Sequence, residues 1–185
     1  MVEQTVQRCV RITRRISVSA VVKLPQIKTL IDFPARDKQI VRAGTYAPTG
    51  MGKQSPIILA VTNKELRDQL SEENRKIMGA PESMDPFYGA PVILVVLANK
   101  AVPTHVYDGS LVMGNLMNAA ESLGVASIWI HRAKEEFESD FGKKILADLG
   151  IQGEYEGIGH CALGYAAEPA KEATARKENY VYYVG

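Results

Sequence analysis

The run Pro91-Val-Ile-Leu-Val-Val-Leu-Ala98 constrains the fold more than any other stretch. It is the longest uninterrupted apolar run in the chain, and it is too short to cross a bilayer. Its β-branched content reads as a central strand. Apolar residues at both parities mean that both faces of that strand are buried. A chain of 185 residues can build a sizeable core as one domain, read here as residues 1–185. Hydrophobic content of 46% and charged content of 23% are those of an ordinary globular protein. A net charge of +1 gives no electrostatic case for nucleic acid. The N-terminus lacks the basic-then-apolar plan of a signal peptide. Cys9 and Cys161 cannot make a disulfide framework, so a cytoplasmic protein with reduced thiols and no membrane partner is expected. His105, His131 and His160 lie at no ligand-like spacing with cysteine or carboxylate, and no metal site is expected.

The remaining elements follow from periodicity and punctuation. Residues 1–15 read as a helix with a basic end, and 16–36 as a short strand followed by a proline-bracketed patch. A helix begins at Asp37 and ends near Gly44. A strand covers 57–62, and Asn63 caps a helix over 64–78 with one narrow apolar stripe. Residues 79–89 form a loop that connects elements or covers a pocket, with connection favoured. Asp108 caps a helix over 111–123 that is apolar around most of its circumference. Such a helix is buried, either in the core or at a subunit interface, with Gly114, Ala119 and Ala120 allowing close packing. A strand over 125–130, a helix over 133–149, a strand over 157–165 and an edge strand over 180–184 complete the chain.

The stretch Ala47-Pro-Thr-Gly-Met-Gly-Lys-Gln-Ser-Pro56 holds the densest set of binding groups. Thr49, Lys53 and Gln54 sit in a glycine-containing loop between a helix and a buried strand. Glycine lets backbone approach a ligand closely, and loops on rigid elements commonly carry binding groups. An ordinary helix-to-strand connection has the same composition. A phosphate-binding P-loop is excluded. Ala47 occupies its first glycine position, Gln54 replaces its metal-binding hydroxyl, and a strand follows where a helix is required.

No nucleophile, base and orienting group can be assembled from the sequence, and no catalytic residue is named. Gly157-Ile-Gly159 with Ala162 weakly echoes the dinucleotide fingerprint. It lies inside a strand, so close strand packing is the better reading. Arg14, Arg15, Arg176 and Lys177 cluster near the two ends of the chain. Arginine suits phosphate through its planar fork. Taken singly, these four are ordinary solvated charges.

In order, the pieces resemble the flavin-dependent nitroreductase family. The resemblance rests on Ala43-Gly44, Ala47-Pro48-Thr49-Gly50 through Gln54, Ala90-Pro91-Val92, Leu123-Gly124, Ser127-Ile128-Trp129-Ile130, Leu163-Gly164-Tyr165 and Arg176-Lys177. It covers about residues 37–184. It implies an α+β sandwich with a central, mostly antiparallel sheet flanked by helices in an intertwined homodimer. FMN would bind at the subunit interface, with NAD(P)H as reductant and nitroaromatics, quinones or similar electrophiles as acceptors. By the same resemblance, Arg15 and Ser17, with Arg14 nearby, hold the FMN phosphate or ribityl chain. Pro48, Thr49 and Gln54 contact the flavin from the other subunit. Ser127, Ile128, Trp129 and Ile130 run along the isoalloxazine, and Arg176 and Lys177 complete the phosphate site. The absence of a catalytic acid or base agrees with this, because a flavin supplies the redox chemistry and the protein orients it.

The chain departs from the family pattern at Ser19, where a second arginine is usual, and at Gly52, where asparagine is common. Residues 16–36 are longer and more apolar than the pattern. These departures support an alternative: a dimer of the same fold that binds flavin weakly or not at all, acting as a binding or structural protein.

Overall fold

The computed structural model describes residues 33–166 and 173–185. The first helix, α1, spans Phe33–Thr45. It starts four residues before Asp37, because Pro34 is tolerated in a first helical turn, where its missing N–H has no intrahelical partner anyway. Then come β1 (Pro56–Val61), α2 (Lys64–Met78) and β2 (Val92–Asn99). Next are α3 (His105–Ser122), β3 (Ala126–Ile130), α4 (Ala133–Glu138), α5 (Asp140–Asp148) and β4 (Tyr155–Gly164). Expected elements within residues 1–32 lie outside the described residues.

The strands form one antiparallel sheet in the order β1-β2-β4-β3. β2 is central, and its alternation splits the core in two. Ile93, Val95 and Leu97 pack with Phe87, Leu70, Phe137 and Leu146 under α2, α4 and α5. Val92, Leu94, Val96 and Ala98 pack with Ile40, Val112, Met113 and Leu116 under α1 and α3. This is why the run has no polar parity: each face of the strand meets its own helical layer.

Several local expectations hold. Asn63 accepts the Leu66 N–H at 2.8 Å and caps α2. Gly79 closes α2 in the left-handed region, at φ 66°. The 79–89 loop is a pinned connection. Asp85 accepts from Ser71 Oγ and from the Phe87 and Gly89 amides, and pairs with Arg67, while Phe87 is core. The glycines of β4 admit close neighbours. A Cβ at Gly157 would stand 2.0 Å from the Ala133 carbonyl oxygen, and one at Gly159 would stand 2.3 Å from the Trp129 indole nitrogen.

Other expectations are corrected. The 133–149 helix is two helices, broken at Ser139, whose backbone is extended. The Ser139 hydroxyl donates to the Glu136 carbonyl at 2.6 Å and accepts from Gly142 N–H, capping α5. Residues 180–184 do not form an edge strand. A short 3-10 turn at Glu178–Tyr180 leads into exposed chain with no sheet partner among the described residues. Within one chain Ala120 is fully buried while Gly114 meets nothing within 4 Å, and further close approaches fall at Gly109, against Ile158, and at Gly44, against Leu116. Among the described residues, no helix is long and apolar enough to cross a membrane.

Candidate functional site

Residues 48–55 leave α1 and turn into β1. Their backbone is unusual: Met51, Gly52 and Gln54 have φ of 51°, 66° and 49°. Left-handed backbone is costly for residues other than glycine and persists where the surroundings over-determine it. Here the surroundings are specific. The Thr49 hydroxyl oxygen accepts the Gln54 N–H at 3.0 Å. Asp108 Oδ1 accepts the Gly50 N–H at 2.9 Å, and Oδ2 accepts from Ser55 Oγ at 2.7 Å and Thr104 Oγ at 3.1 Å.

Asp108 is therefore no N-cap. The helix begins three residues earlier, at His105, and Asp108 sits in its first turn with only 2% exposure. The expected capping role fails because both carboxylate oxygens are turned to the loop and to Thr104. Burial alone would raise the Asp108 pKa, but the hydrogen bonds from Ser55, Gly50 and Thr104 and the nearby His105 outweigh it, so the net shift is downward. Sequence reasoning missed this residue. Its one signal, an acidic residue in a first helical turn, reads equally well as a cap or a dipole partner.

The loop borders a cleft of about 240 Å³ lined by Val41, Thr45, Thr49, Gln54, Ile57 and Val112, among others. Its rim is polar and its floor apolar. Pro48, Lys53 and Gln54 are exposed, and Thr49 is half-buried.

The other expected residues lie elsewhere. Ser127, Ile128, Trp129 and Ile130 form β3, which pairs with β4 alone among the described residues. Ile128 and Ile130 point into the core beneath α4, whereas the Trp129 indole lies across Gly159 and stays 37% exposed. β1 and β3 are opposite edges of the sheet, with β2 and β4 between them. One chain thus keeps the loop and β3 apart. Arg176 and Lys177 lie in exposed chain. Arg176 donates to the Thr174 carbonyl at 3.1 Å, and the Lys177 ammonium stands 5.6 Å from the Tyr180 ring centre. Arg14, Arg15 and Ser17 lie outside the described residues.

The model of the Nitroreductase family matches residues 36–165. No curated protein matches the chain in sequence. Among solved structures, it is similar to an FMN-bound nitroreductase from Bacteroides fragilis NCTC 9343, with 25% identity and a TM-score of 0.78, covering 94% of this chain and 98% of that one. An FMN-bound nitroreductase from Desulfitobacterium hafniense DCB-2 is 23% identical with a TM-score of 0.77, covering 91% of this chain and 96% of that one. An iodotyrosine deiodinase bound to FMN and 3-iodo-L-tyrosine is 19% identical with a TM-score of 0.67, covering 95% and 98%. The last two likenesses speak to the fold alone.

Proposed function

The chain belongs to the nitroreductase family, and from that premise we propose that it is an FMN-dependent NAD(P)H oxidoreductase. Its acceptors would be nitroaromatics, quinones or similar electrophiles. The observation that carries this reading is the clamped, strained loop with Thr49 and Gln54 on the rim of a cleft. The FMN bound in the Bacteroides fragilis relative supports it.

The residues present fit a flavin as half of a site. At about 240 Å³ the cleft is smaller than the roughly 300–1,000 Å³ of a whole ligand pocket. The two sets of expected contacts occupy opposite sheet edges, so a second copy of the chain would have to bring the other set. Support for a homodimer comes from apolar surface left open. On α3, Tyr107 (72% exposed), Leu111 and Gly114 share a face at helical spacing, and the C-terminal run reaches 96% exposure at Tyr183. Apolar patches of this kind mark interaction surfaces.

FMN, when bound, would supply two-electron chemistry between NAD(P)H and the acceptor. The chain's own task is to hold and orient. The Gln54 side chain, exposed beside the cleft, can hydrogen-bond the ring's polar edge. The outer edge of β3 offers backbone groups with no ladder partner among the described residues, and Arg176 and Lys177 offer positive charge for the phosphate. No side chain needs to act as a general acid or base.

The test is to purify the full chain, add FMN, remove the excess and record the visible spectrum. NADH and NADPH oxidation is then assayed with a nitroaromatic and a quinone, and the mass in solution is measured. A retained flavin band, turnover with either nucleotide and a dimer mass are expected. A chain that retains no flavin and oxidises neither nucleotide would sink the proposal and favour the weak-binding alternative.

A further inference from the structure

We propose that Asp108 is the positioning residue of the cofactor loop: its carboxylate fixes the strained 49–55 backbone in the shape that presents Thr49 and Gln54. This rests on the reading of that loop as a flavin-binding element.

Two independent observations converge on it. The first is the donor set. Asp108 is nearly fully buried, yet it takes its hydrogen bonds from the Gly50 amide, the Ser55 hydroxyl and the Thr104 hydroxyl. Gly50 and Ser55 bracket the left-handed residues Met51, Gly52 and Gln54. Hydrogen bonds to a charged acceptor are stronger than neutral ones, so this is a firm grip at both ends of the strained turn. The second is the space around Gly50. A Cβ there would stand 2.3 Å from Thr104 Oγ and 3.0 Å from Thr104 Cβ. Only glycine lets the loop backbone come close enough to the start of α3 for its N–H to reach the carboxylate. The clamp thus ties the loop to α3, the helix whose open face would meet a second copy. Placement of the flavin contacts and packing of the helix are set by the same residue.

The experiment uses the full-length chain with Asp108→Ala and Asp108→Asn. Amide hydrogen exchange is read in flavin-free protein, and the FMN Kd is read by fluorescence quenching. For Asp108→Ala, exchange at Gly50 and its loop neighbours should rise about tenfold or more, and exchange in β2 should rise only as far as the lost unfolding free energy allows. FMN should bind about tenfold more weakly, the scale of one lost charged hydrogen bond. Asp108→Asn keeps an oxygen for the Gly50 N–H and should recover most of both effects. The proposal is overturned if the alanine variant leaves loop exchange and FMN affinity unchanged. It is also overturned if exchange rises in β2 and not in the loop, the signature of a general loss of stability. If the alanine variant does not fold, Ser55→Ala removes one donor and should raise loop exchange and the FMN Kd about threefold; no change overturns the clamp. Wild-type protein that binds no FMN but shows the local rise on mutation would retain the clamp and sink the flavin reading.

Discussion

Two buried carboxylates sit on opposite faces of the same sheet and have opposite fates. Asp108, at the start of α3, has its donors in place, and its pKa is held below the ordinary 3.8 despite burial. Glu136, on α4, lies against His160 of β4 with Oε2 and Nε2 2.5 Å apart, both residues being fully buried. That close approach is not aligned as a hydrogen bond. Neither Glu136 oxygen, neither His160 ring nitrogen, nor Asn74 Oδ1 has a hydrogen-bond partner among the described residues. Desolvation therefore dominates and raises the Glu136 pKa above 4.5, with His160 opposing it. The lesson is that burial does not decide the charge of a carboxylate; the number of aligned donors does. A satisfied carboxylate can act as a clamp, whereas a poorly satisfied one is a cost the fold carries.

The comparison can be broken in three ways, taken here from the largest expected effect. Asp108→Ala strands the donors that now meet one acceptor, and should cost about 2–4 kcal/mol of unfolding free energy in urea denaturation. A loss below about 0.5 kcal/mol would mean that water replaces the carboxylate as readily as it leaves it.

Next, Glu136→Gln should stabilise the protein by about 1 kcal/mol at pH 8, because an uncharged amide is less costly to bury. The pH sign follows from the raised pKa. The Glu136 contribution is fully present below its unfolded value near 4.5 and is lost as pH rises through the folded value. The gain on mutation should therefore shrink from pH 8 to pH 5. Asp108 has the reverse sign: its contribution is present above its unfolded value near 3.8 and lost as pH falls through the lower folded value. Equal gains for Glu136→Gln at both pH values would remove the contrast between the two sites.

The smallest effect is expected at Lys134, on the same helix as Glu136 but exposed, paired with Glu156 at 3.2 Å and Glu138 at 3.9 Å. Lys134→Ala should move the melting temperature by no more than about 1 °C, since solvent screens such pairs. A larger shift would mean that surface charge rivals the buried pair.

The sequence by itself determined what depends on neighbours within a turn or two. The apolar run over β2, the Asn63 cap and the loop carrying Thr49 and Gln54 all follow from local pattern. Only the tertiary structure decided what depends on distant pairs. Asp108 meets Gly50 across 58 positions, so its turn away from capping cannot be seen from the residues beside it. Glu136 and His160 meet because α4 packs over β4, and the break at Ser139 brings Gly142 so near the Glu136 carbonyl that a Cβ there would stand 2.3 Å from its oxygen. Sheet order placed the loop and β3 at opposite edges, a fact that no spacing along the chain encodes. Local sterics and hydrogen bonding are written residue by residue, whereas the identity of a buried group's partner is fixed only when the chain closes on itself.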